Sequence, residues 1–153
     1  MGRPKVPVIY ENRSDIKLGR AVVLREGRDV AILACGTMVA KSLEAAEILA
    51  VRGIKAAVLD VHTIKPLDRE TILQVVRETG CAVTAEEHSI IGGLGGAVAE
   101  LLGAECPVPV ERVGIEDRFG QSGSPEELLE HYGLTATAIV QRAEKTITRK
   151  ATI

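Results

Sequence analysis

A chain of 153 residues, 46% of them hydrophobic, is long enough for one domain that buries about 68–70% of the surface its unfolded form exposes. Its 19 basic and 21 acidic residues leave a formal charge of −2, and with one Phe, two Tyr and no Trp it offers neither a cationic field nor base-stacking platforms, which argues against nucleic acid as a partner. No apolar run approaches the roughly 20 residues that span a bilayer, and "MGRPKVPVIYE" has no hydrophobic signal core, so a soluble, cytoplasmic protein without membrane contact is expected.

Residues 1–19, with Pro4 and Pro7 holding the backbone extended ahead of the polar stretch "ENRSDIKLG", read as an interdomain linker. The domain is expected over 20–148, with a tail at 149–153. Five short runs rich in Val, Ile and Ala are expected strands: "AVVLRE", "DVAILAC", "KAAVLDV", "CAVTAEE" and "VERVGIE". Longer stretches of helical period separate most of them, which implies a largely parallel sheet covered on both faces. Only "EGR" lies between the first two runs, too little for a crossover, so these strands are antiparallel neighbours or sit apart with one reversed.

The first expected helix, "TMVAKSLEAAEILAVRG", carries Val39, Leu43, Ala46 and Leu49 or Ala50 on one face and stops at Gly53. In "DRETILQVVRETG", Asp68 is the N-cap, Glu70 favours the first turn, Ile72, Val75 and Val76 share a face, and Gly80 ends the helix. Pro66 disfavours helical geometry at Lys65, so "HTIKPLD" is expected to run extended into that cap. In "SPEELLEHYG", Ser124 and Glu127 are placed for a reciprocal capping box, Pro125 occupies the first helical position and Gly133 the stop. The last helix starts at Thr135, with Leu134 packing on Ile139. Phe119, the only Phe, stands in the glycine-flanked loop "FGQSGSPEE" as either a docking surface or a core plug.

"EEHSIIGGLGG", Glu86 to Gly96, sits at the carboxyl end of the fourth run, the edge where open α/β sheets place ligands. The helix "GLGGAVAELLG" that follows begins with free N–H groups able to hold an anion. The dinucleotide fingerprint fails here, because Gly93 and Gly95 are followed by Val98, and no G-K-[ST] supplies a phosphate loop. The glycines are expected to permit a sharp strand-to-helix turn and close packing of helix on sheet. Glu86, Glu87 and His88 form a solvated strand end on this reading, as do Asp60 with His62 and Asp117 with Arg118; acid–base work would need a second group and a pocket. Cys35, Cys81 and Cys106 lack C-x-x-C spacing and are expected as free thiols, the first two buried.

Taken in order, "DVAILACGTMVAKSLEAAEILAVRGIKAAVLDVHTIKPLD", "VTAEEHSIIGGLGGAVAELL" and "VERVGIEDRFGQSGSPEELLEHYGLTA" resemble the C-terminal domain of transketolase in its split, two-subunit form. The likeness covers roughly residues 4 to 145. Similar domains close 1-deoxyxylulose-5-phosphate synthase and the beta subunits of 2-oxoacid dehydrogenases. The resemblance implies a three-layer α/β/α fold with a mixed five-stranded sheet of order 1-3-2-4-5, strand 1 antiparallel. It places a crevice between Cys35, Gly36 and Thr37 on one side and Glu86, Glu87, His88, Gly92 and Gly93 on the other.

The resemblance further implies that the parent enzyme transfers a two-carbon ketol unit between sugar phosphates through thiamine diphosphate and Mg²⁺. The family's G-D-G diphosphate motif is absent here, and its activating glutamate belongs to the preceding domain, so no catalytic, cofactor or metal residue carries over. The expected partners are the pyrimidine-binding and diphosphate-binding domains or subunit, in a homodimer. A chain that opens on a linker is expected of a piece of a longer polypeptide. Other readings remain: the C-terminal domain of a 2-oxoacid dehydrogenase beta subunit, serving as a docking module, or of a 1-deoxyxylulose-5-phosphate synthase, and a free-standing small-ligand binder using the Glu86–Gly96 crevice.

Overall fold

The computed structural model describes residues 7–10 and 16–152. The expectations for Pro4 and for residues 11–15 lie outside the described residues. Five strands and five helices follow in the order β1 Val22–Arg25, β2 Val30–Ala34, α1 Met38–Val51, β3 Ala56–Asp60, α2 Arg69–Thr79, β4 Ala82–Ser89, α3 Leu94–Glu105, β5 Val110–Ile115, α4 Pro125–His131 and α5 Ala136–Lys150. The single sheet has the order β1-β3-β2-β4-β5. β1 runs antiparallel to β3, pairing Val22 with Asp60, while β2, β3, β4 and β5 are mutually parallel. The short "EGR" link is thus explained: β2 is not the neighbour of β1, because β3 lies between them.

Alternation along the central strands divides the core into two layers. Val30, Ile32 and Ala34 face one side with Leu49 of α1 and Ile139 of α5; Ala31 and Leu33 face the other with Ile72 of α2 and Val98 of α3. All five residues of β2 are buried, as a strand covered on both faces requires.

Local chemistry fixes the helix ends. Asp68 accepts from the backbone N–H of Thr71, and Gly80 closes α2 in the left-handed conformation, φ 69°. Ser124 and Glu127 make both bonds of the capping box, and Thr135 accepts from Ala138 N. Leu134 and Ile139 are buried in one cluster. α5 extends to Lys150, into the stretch expected as a tail.

Two local expectations change. Residues 64–67 turn instead of running extended, and the Lys65–Pro66 peptide is cis. The described residues of the lead-in segment, 7–10 and 16–19, form no helix or strand, yet they are attached to the domain: the Tyr10 hydroxyl donates to Asp60 Oδ2 at 2.5 Å, and Gly19 N donates to Thr63 Oγ1 at 3.3 Å.

Candidate functional site

Because β2, β3, β4 and β5 are parallel, their ends and the loops after them converge on one edge of the sheet. There, Cys35, Gly36, Thr37, Glu86, Glu87, His88, Gly92 and Gly93 line a cleft of about 390 Å³, joined by Ile64 from the turn after β3. The eight expected crevice residues are therefore neighbours in space. Ile64 was missed because its approach depends on the turn at 64–67 rather than on any local motif.

Glu86 does not form a solvated strand end. Its residue is 1% exposed, and its carboxylate accepts from Leu94 N at 2.7 Å and from Gly95 N at 2.8 Å. The cause is the start of α3: its N-cap, Gly93, has no side chain to satisfy the first N–H groups, so a strand residue does it instead. The anion that the helix terminus can hold is thus part of the protein. The glycines make the approach possible. A Cβ on Gly93 would fall on the Glu86 carboxylate, and one on Gly95 would come within 2.9 Å of Thr84 Oγ1 and 2.8 Å of Arg112 Cδ.

The other cleft groups are also engaged. The Thr37 hydroxyl donates to Glu87 Oε2 at 2.7 Å, tying the α1 side of the cleft to the β4 side. His88 Nδ1 lies 2.9 Å from the Ser89 carbonyl, which can only accept, so Nδ1 is the donor of that bond. Cys35 is half-buried and not fully buried as expected, because it follows the last residue of β2 and faces the cleft. Burial, then the charges of Glu86 and Asp60, push its thiol up to about 11, so it is no thiolate at neutral pH. Cys81 is buried, and all three cysteines are free.

Asp60 is likewise buried, at 7% exposure, because β3 is an inner strand and the Tyr10 phenol covers its end. Burial, then the bond to Asp60, raises the Tyr10 hydroxyl far above its ordinary range. Asp117 and Arg118 are exposed as expected, while Phe119 is wholly exposed, which makes it a surface residue and not a core plug. A further buried carboxylate, Glu111, was missed. It accepts from Arg142, Lys145 and Arg149, whose spacing of three and four puts them on one face of α5.

Among the described residues no Lys or Arg lines the cleft, while two carboxylates do. Among the described residues no group of three His, Cys, Asp or Glu is placed to hold a metal ion. A diphosphate fits such a lining poorly: two N–H groups at the start of α3 are already taken by Glu86, and the carboxylates repel phosphate.

Residues 19–139 match the family model of the transketolase C-terminal domain. The chain belongs to this family. This transketolase C-terminal domain is 53% identical over 148 residues to the 6-deoxy-6-sulfo-D-fructose transketolase subunit SqwH of Clostridium sp. (strain MSTE9), covering 97% of the chain and 46% of that protein. It is 45% identical over 147 residues to 1-deoxy-D-xylulose-5-phosphate synthase 1 of Geobacter sulfurreducens, 23% of whose length is covered. Among solved structures it is similar to a split gene transketolase described as an inactive β4 tetramer, with a TM-score of 0.93 and 51% identity over 97% of this chain and 49% of that one. The chain spans less than half the length of each of these proteins.

Proposed function

We propose that the chain is the C-terminal accessory domain of a split, thiamine-diphosphate-dependent transketolase, whose parent transfers a two-carbon ketol unit between sugar phosphates. The observation that carries this reading is the match, at a TM-score of 0.93, to about half of a split gene transketolase chain. On this reading the domain supplies packing surface to the pyrimidine-binding and diphosphate-binding parts in a cytoplasmic homodimer, with residues 1–19 leading in from the preceding domain. Thiamine diphosphate and Mg²⁺ bind elsewhere in the parent, a reading supported by the two α3 N–H groups and the Thr37 hydroxyl being satisfied internally and by the two carboxylates that line the cleft. That the related β4 tetramer is inactive supports a requirement for another subunit.

The test is reconstitution. The chain joined to, or mixed with, the remaining parts of a split transketolase should support ketol transfer, offered both ketose phosphates and 6-deoxy-6-sulfofructose as donors. The chain alone should show no turnover. Turnover by the chain alone, or full activity of the other parts without it, would refute the reading. A second reading, the same domain of a 1-deoxyxylulose-5-phosphate synthase, is favoured by the 45% identity to the Geobacter enzyme; condensation of pyruvate with glyceraldehyde 3-phosphate in the same assay separates the two.

A further inference from the structure

A second cavity, of about 290 Å³, lies at the outermost strand of the sheet, between the end of β5, the turn from α4 to α5 and the first turns of α5. Arg112, Glu116, Arg118, Glu130, His131 and Arg142 are its ionisable lining residues. In charge it is the reverse of the first cleft, whose lining among the described residues includes carboxylates and no Lys or Arg.

The ion pairs around this cavity do not balance. Buried Glu111, on β5, meets Arg142 at 3.1 Å, Lys145 at 3.0 Å and Arg149 at 2.7 Å. Arg142 continues to Glu116 at 2.9 Å, and Arg118 reaches the other oxygen of that carboxylate at 3.9 Å. Four cations are thus linked to two carboxylates, which leaves two positive charges in excess. Of the remaining lining groups, Arg112 and Glu130 cancel, and His131 adds charge only when protonated. The amino end of α5 borders the same cavity through Ala138, and its dipole has the same sign. In a chain whose formal charge is −2, this is a local arrangement and not general basicity.

We infer, independently of the proposed function, that this cavity takes a small, doubly charged tetrahedral oxyanion, a phosphate or sulfate group, at Arg118 and Arg142. Each guanidinium carries five planar N–H donors, more than its carboxylate contacts use, and the fork matches the oxygens of such a group. Arg118, whose side chain is 60% exposed and 3.9 Å from Glu116, has the least to give up. Glu116 opposes entry, because it already stands against both arginines.

The experiment is a titration of the full chain with sodium phosphate, followed in ¹H–¹⁵N NMR spectra at pH 7.5. Ionic strength is held constant, since exposed charges are screened over about 8–10 Å. Expected are saturable shifts at 112–118 and 131–142, reproduced by sulfate and not by acetate or chloride. Glu116→Gln should tighten phosphate binding about tenfold and Arg118→Gln weaken it about tenfold, while Arg77→Gln, on α2, should change neither affinity nor shifts. Glu116 and Arg118 are both more than half exposed, so these variants should keep the wild-type melting temperature and a dispersed spectrum, which separates lost binding from lost folding. The absence of saturable shifts, an equal response to acetate, or one affinity in all three variants would overturn the inference. Shifts centred on Thr37 and His88 would put the anion in the first cleft and overturn it too.

Discussion

At the amino end of the sheet, charged groups are tied to each other and to the backbone, whereas at the carboxyl end apolar side chains stand in water beside a cleft. Lys150 Nζ donates to the carbonyls of Asp29 and Thr79, Asp29 accepts from Lys55 N, and Glu111 gathers three cations from α5. The carboxyl end has its own buried carboxylate, Glu86, but this one is satisfied by backbone N–H groups and leaves Ile64, Ile91 and Phe119 uncovered. Both carboxylates serve stability; what differs is the kind of group that satisfies each.

The comparison breaks most sharply at Glu86. Glu86→Ala leaves two buried N–H groups at the start of α3 unpaired, a loss of about 3 kcal/mol or more, and a fall in melting temperature on the order of 10 °C. Glu86→Gln, which keeps one acceptor, should lose about half as much. If Glu86→Ala melts like the parent chain, the carboxylate is not the cap.

Glycines of the same loop should respond with opposite signs. Gly93→Ala forces a methyl onto the Glu86 carboxylate and should destabilise by about 2 kcal/mol. Gly96→Ala, with no atom within 4 Å of the added carbon, should stabilise α3 by up to about 1 kcal/mol. Denaturant titration of the two variants decides; equal effects would contradict the close approach.

At the other end the effect is one of pH. Burial of Glu111 would raise its pKa, but hydrogen bonds from Lys145, Arg149 and Arg142 outweigh it and hold the carboxyl below its usual range. A depressed folded value means stability that is present above the unfolded pKa of about 4.3 and lost as pH falls through the folded one. Glu111→Gln should therefore lower the melting temperature at pH 7 by a few degrees and leave it almost unchanged near pH 2. A constant difference across that range would show that the charge is not what matters.

The smallest effect concerns reactivity. With its thiol pushed up to about 11, Cys35 should be alkylated at pH 8 on the order of a hundredfold more slowly than an ordinary exposed cysteine. Mass spectrometry of the labelled chain reads this directly, and rapid labelling at Cys35 would mean that the cleft is more open than described.

The elements were legible because their signals are local: apolar runs gave the strands, and Asp68, Ser124 with Glu127, and Thr135 marked helix starts within four residues of their partners. The strand order came from resemblance, since "EGR" alone left two arrangements open. The crevice was legible as a location but not as chemistry. Glu86 meets amides eight and nine residues away, and Asp60 meets a phenol fifty residues away, pairings that exist only after the sheet forms. The cationic face of α5 was readable from the spacing of Arg142, Lys145 and Arg149, though its target Glu111 was not.

The central claim is that this domain gives surface to an enzyme whose coenzyme is held elsewhere. Isothermal titration of the isolated chain with thiamine diphosphate and Mg²⁺ tests it most directly. The account predicts only heats of dilution; a saturable one-site isotherm, weakened by Thr37→Ala or His88→Ala at the cleft, would contradict it.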